Sequence, residues 1–148
     1  MMSLSRFRKS ARNESGNAVV EFALIAPILL IMILGLVDAG RAIGANSRLG
    51  QGVTAGLRYA LTDSYALDEI TAAAMSGSRY ADGDVSVNVT RFCECPDGSS
   101  IACSGTCTAG FKRIFVQVDM TRMEPTIFSY PIIGDQITVS RTGSLQVP

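Results

Sequence analysis

The sequence predicts an α+β protein in which a long N-terminal transmembrane helix continues into an outer domain made of a second helix and a three-stranded antiparallel sheet. Three observations predict it. A basic head is followed by twenty residues carrying a single charge, apolar residues then recur at helical spacing to about Arg79, and beyond Gly83 the period becomes two.

Composition narrows the function. With 148 residues, 47% hydrophobic and 18% charged, the chain accommodates one domain plus an anchor. It has no histidine, which excludes Ser-His-Asp and Cys-His nucleophile systems and His-ligated metal sites. Thirteen basic side chains cancel thirteen acidic ones, so there is no electrostatic ground for a nucleic-acid partner. The cancellation is uneven along the chain. Arg6, Arg8, Lys9 and Arg12 against Glu14 leave +3 over residues 1–16, and nine basic against twelve acidic groups leave −3 over the rest.

The anchor comes first. Ala18 to Val37 holds only Glu21 as a charge, and at about 1.5 Å per residue it covers roughly 30 Å, the hydrocarbon thickness of a bilayer. Four basic residues before the run, against Arg41 and Arg48 after it, place the N-terminus in the cytoplasm and the bulk of the chain outside. A cleaved signal peptide has the same outline, but its apolar core is about 7–15 residues and ends in a small-x-small site. Here Val37-Asp38-Ala39-Gly40-Arg41 follows the longer run.

Glu21 is the informative residue in that span. An acid at mid-membrane costs about 2–3 kcal/mol, less towards the interface, so a compensating partner is expected. A cut after Gly16 would supply one, because the new amine on Asn17 stands about one helical turn from Glu21. The amine of a packed neighbour would serve equally. A paired buried acid is an assembly device, whereas an unpaired one is a liability.

The stretch Gly16-Asn17-Ala18-Val19-Val20-Glu21-Phe22-Ala23-Leu24-Ile25-Ala26-Pro27, with the exit Gly35-Leu36-Val37-Asp38-Ala39-Gly40-Arg41, resembles the TadE-like proteins of tight-adherence (Tad, Flp-type) pilus systems. The shared pattern is a glycine, four residues, Glu-Phe-Ala-Leu, a proline, a Leu/Ile run, then acid-x-Gly-Arg. The resemblance implies a minor pilin or pseudopilin of the bacterial inner membrane, with a periplasmic C-terminal domain and the extracellular pilus as a further location. It implies processing by a prepilin peptidase between Gly16 and Asn17, with Glu21 as fifth mature residue and Glu21 and Phe22 in assembly. The implied partners are related minor pilins, the major pilin and the pilus assembly platform, in support of adherence. The implied organisation is a cytoplasmic leader at 1–16, a transmembrane and periplasmic stalk helix at 17–61, and a periplasmic α+β domain at 62–148. No enzyme activity and no cofactor are expected.

Beyond the span, the pairs Gly35/Ala39, Gly40/Gly44 and Gly52/Gly56 have the small-x3-small spacing that lets helices approach closely. Packing against neighbouring subunits and simple tolerance of glycine are equally good readings. Asp38 and Arg41, at i and i+3, are expected to form a solvated pair of little energetic weight. Leu49, Val53, Leu57 and Leu61 form a stripe that needs a cover. Thr62, Asp63 and Ser64 supply breaking and N-capping side chains before a second helix at about Ala66 to Arg79, where Gly77 is expected to weaken the last turn.

Three half-buried strands follow. Val85, Val87 and Val89 alternate with polar residues, as do Ile137 and Val139; Ile114, Val116, Val118 and Met120 alternate with Phe115, Gln117, Asp119 and Thr121. The stripe of the long helix is their natural cover. Phe128 to Gly134 is expected as an apolar loop that packs on the domain or contacts a partner.

Cys93, Cys95, Cys103 and Cys107 lie in a turn-rich segment beyond the membrane and read as two disulfides stapling the loop 93–107. Three pairings are open, and the nested one, Cys93 with Cys107 and Cys95 with Cys103, is favoured. Four-thiolate zinc sites show two C-x2-C hooks, which this spacing lacks. Asp82, Asp84 and Asp97 match no metal loop and read as solvated turns. A second class of function is an uncut, membrane-tethered periplasmic binding or sensory domain; a third is a secreted redox or metal protein.

Overall fold

The computed structural model describes residues 14–108, 110–131 and 134–148, with side chains from residue 18 onward. The basic leader residues and Ile132 and Ile133 lie outside the described residues. The elements are α1 (Glu14–Ala60), α2 (Leu67–Ser78), β1 (Ser86–Glu94), β2 (Ser100–Ile101), β3 (Arg113–Tyr130) and β4 (Gly134–Val147). The chain divides into two compact units, one ending at Leu36 and the other spanning Val37–Pro148.

Among the described residues, the first unit is helix alone. Its 18-residue apolar window has a mean hydropathy of 2.7 and no buried residue, so it is long and apolar enough to cross a membrane. Val19, Phe22, Leu24, Ile28 and Met32 are all exposed, which is a liability in water and the normal condition in lipid. Helix α1 runs through Pro27 despite the amide that proline lacks.

In the second unit the strands form one antiparallel sheet of order β2-β1-β3-β4. The expected three strands are present, and the fourth is the two-residue β2 inside the cysteine segment. Val116, Val118 and Met120 are fully buried, as period-two burial of one sheet face requires. They meet Ala45, Leu49, Val53 and Ala60 from α1 and Ile70 and Ala74 from α2 in one apolar cluster. The expected stripe on α1 is right except at its end, where Leu61 is exposed and Ala60 is buried. Steps of four residues overshoot a helical turn by about 40° each, so three steps from Leu49 rotate the stripe away from the sheet.

Glycines set the spacing of the layers. A Cβ on Gly77 would stand 2.5 Å from Ala55 Cβ and 3.3 Å from Gly52 Cα, so α1 and α2 cross here with their backbones almost touching. On the sheet side, a Cβ on Gly143 would meet Val53 Cγ1 at 2.6 Å. Gly77 is thus a packing position, and the expectation that it merely weakens α2 is corrected. The pair Gly52/Gly56 likewise serves the protein's own core, against Met120, Ala74 and Val118, while Gly40 and Gly44 have nothing within 4 Å.

The start of α2 also departs from expectation. Its N-cap residue is Ala66, with no side-chain cap. Asp63 Oδ1 instead accepts the Tyr65 amide at 2.8 Å, closing a turn three residues ahead of the N-cap position.

Candidate functional site

The candidate processing and assembly residues all lie on α1. Gly16 and Asn17 fall in its first turn, and Glu21 and Phe22 follow within the apolar run with exposed side chains. A carboxylate presented among Val19, Val20, Phe22 and Leu24 has no apolar protein surface to hide in and no described partner in the chain.

At the other end of the run stands Asp38, whose expected solvated pair with Arg41 is not what forms. Asp38 is 4% exposed. The Ile127 amide donates to both its oxygens at 3.0 and 3.1 Å, and the Tyr130 hydroxyl donates to Oδ2 at 3.0 Å. Arg41 is only a distant companion, at 3.9 Å from Asp38 and 3.9 Å from Glu124. A buried carboxylate holding a backbone amide and a phenol is a structural clamp, because removing it strands both donors. Burial, and then the bond to Asp38, push the Tyr130 phenol above its usual range.

The same clamp redefines the expected apolar loop. Phe128 to Tyr130 belong to β3, which pairs Pro125 with Gln136 and then Tyr130 with Gly134. Residues 126–129 therefore oppose Asp135 alone, as a bulge whose Ile127 amide turns to Asp38 instead of the ladder. Beside it, Tyr80 lies between the guanidinium groups of Arg48 (5.4 Å) and Arg122 (4.2 Å) and donates to Glu124 at 3.5 Å. Arg122 also reaches the Asp84 carbonyl at 3.0 Å. Sequence reasoning missed this network; the signal was Asp38, Glu124 and Tyr130 standing among apolar neighbours where free water would be scarce.

The cysteines form two disulfides, but with a different pairing from the nested one: Cys93 joins Cys103 and Cys95 joins Cys107. The cause is where the hairpin turns. Cys95 N donates to Ser99 O and Gly98 N to Cys95 O, both at 2.9 Å, so the ladder sets Ile101 opposite Cys93. A second turn, with Gly105 N on Ala102 O at 2.7 Å, then brings Cys103 back to Cys93 and carries Cys107 on to Cys95. Arg113 ties down the loop by donating to Cys95 O at 3.0 Å. Asp97 sits at the tip with its pKa lowered, first by the Ser99 hydroxyl and then by the Ser99 amide. Among the described residues, no group of three or more His, Cys, Asp or Glu side chains is placed to hold a metal ion.

Among the described residues, one helix is long and apolar enough to cross a membrane, and it continues into a disulfide-bonded α+β unit, which is the pattern of the class of single-pass membrane proteins. Within that class, residues 16–58 match the family described as TadE-like protein. The match covers the run with Glu21, the Asp38 exit and the part of α1 that carries Ala45, Leu49 and Val53. No curated protein and no solved structure matches the chain.

Proposed function

We propose that the protein is a minor pilin or pseudopilin-like subunit that assembles a Tad (Flp-type) pilus and thereby supports adherence. Prepilin peptidase cuts between Gly16 and Asn17 at the cytoplasmic face, behind the leader of residues 1–16. The Asn17 amine then pairs with Glu21 of its own chain or of a neighbour, so the carboxylate is compensated in lipid once the cut has released that amine. Phe22 adds apolar contact beside that pair. Residues 17–61 act as span and stalk, and residues 62–148 as the periplasmic domain, whose disulfides suit an oxidising compartment. Its partners in this reading are the inner membrane, related minor pilins, the major pilin and the assembly platform, and the role involves no reaction.

One observation carries the proposal: the TadE-like match begins at Gly16, directly before an apolar run whose only charge is Glu21. The mass of the membrane-extracted protein tests it. An amine terminus at Asn17 supports the reading, and a terminus at Met1 or Met2 supports an uncut tether. Glu21→Ala is expected to abolish subunit association while leaving membrane insertion intact; unchanged filaments and attachment would overturn the assembly role.

A further inference from the structure

We propose that the bulged end of the β3–β4 hairpin is a second membrane contact, which seats Ile127 and Phe128 in the interfacial layer of the phospholipid bilayer that the anchor crosses. The inference rests on the spanning reading of Ala18 to Val37 and on three observations beyond it.

The first is connectivity. Asp38 is the residue directly after the apolar run, and its carboxylate holds the Ile127 amide and the Tyr130 hydroxyl. Whatever Asp38 clamps is therefore kept at the point where the chain leaves lipid. The second is composition. Ile127 is 52% and Phe128 47% exposed, Phe128 packs edge-on against Tyr130 at 5.7 Å, and no charged side chain occurs between Glu124 and Asp135. Exposed aliphatic and aromatic side chains beside a tyrosine form the pattern that settles at a membrane interface. The third is the bulge itself. Four residues oppose one, and the Ile127 amide that leaves the ladder is satisfied by Asp38, so the bulge presents the Ile127 side chain outward with its own amide bonded.

The chain lacks tryptophan, so a single tryptophan is an unambiguous reporter. The full chain is reconstituted in phosphatidylcholine and phosphatidylglycerol vesicles as Phe128→Trp, with Ile127→Trp as a second position in case the first disturbs folding. Ile31→Trp marks the span and Leu61→Trp the exposed turn just after α1. The expected result is blue-shifted emission at residues 127 and 128, with quenching by lipids brominated near the headgroup several-fold stronger than at Leu61→Trp and independent of protein density. Emission and quenching at both hairpin positions equal to those of Leu61→Trp, while Ile31→Trp is quenched, would overturn the inference and leave the anchor intact. A blue shift that grows with protein density and is insensitive to brominated lipid would also overturn it, assigning the patch to a second copy of the chain. An unquenched Ile31→Trp would instead remove the spanning reading on which it stands.

Discussion

Asp38 and Ile127 are 89 residues apart in the chain, yet the carboxylate of one takes the backbone amide of the other on both oxygens, at 3.0 and 3.1 Å. A helix residue thereby replaces the strand partner that a bulge removes. The hairpin end depends on a side chain from another element, and this dependence can be measured.

Asp38→Ala leaves the Ile127 amide and the Tyr130 hydroxyl without their acceptor, and is expected to cost about 3 kcal/mol in denaturant unfolding of the detergent-solubilised protein. Hydrogen exchange at Ile127 should accelerate while that at Val118, deep in the sheet, changes only with global stability. Unchanged exchange at Ile127 would show that the clamp does not hold the bulge.

The clamp also has a pH signature. The Tyr130 phenol titrates above its ordinary 10.0 because burial and the bond to Asp38 favour the protonated form. A raised folded-state value contributes stability that is complete below the unfolded value and is lost as pH rises through the folded one. Stability should therefore fall above about pH 10. Tyrosinate difference spectra of the protein and of Tyr130→Phe, compared across the four tyrosines, should assign the latest-titrating component to Tyr130.

Glycines on α1 should separate into two groups. Gly52→Ala places a methyl 2.6 Å from Met120 Sδ and 2.7 Å from Ala74 O, and overpacking of this kind costs about 1–3 kcal/mol. Gly44→Ala meets nothing within 4 Å and should stabilise the helix by up to about 1 kcal/mol. Thermal unfolding distinguishes the two, and equal shifts would contradict the close crossing of the helices.

Non-reducing peptide mapping should recover Cys93 with Cys103 and Cys95 with Cys107. Removing one bridge as Cys93→Ala with Cys103→Ala opens a loop of sequence separation 10 and is expected to cost about 2–3 kcal/mol. Recovery of a Cys93–Cys107 peptide would refute the pairing.

What the sequence made legible is what depends on local repetition. Val116, Val118 and Met120 advertise a buried face through alternation alone, and Ala18 to Val37 advertises lipid through the near-absence of charge. What stayed hidden depends on distant partners. Asp38 looks like half of an i,i+3 ion pair until Ile127 and Tyr130 arrive from the hairpin. The cysteine pairing turns on a second bend at Ala102 to Gly105, where spacing offers no ruler. Leu61 lost its place to Ala60 through a drift of a few tens of degrees per turn, which a four-residue repeat conceals. Glu21 is the reverse case, because the sequence singles it out as the one charge in the apolar run while no ion pair to it occurs among the described residues.

Ala45, Leu49, Val53 and Ala60 fill the core from the same helix that begins as the anchor. Dissection of the protein has to respect this shared ownership. A water-soluble fragment is expected from Val37 onward, carrying its own interior with it, whereas one begun at Leu61 would discard one wall of that interior and should aggregate.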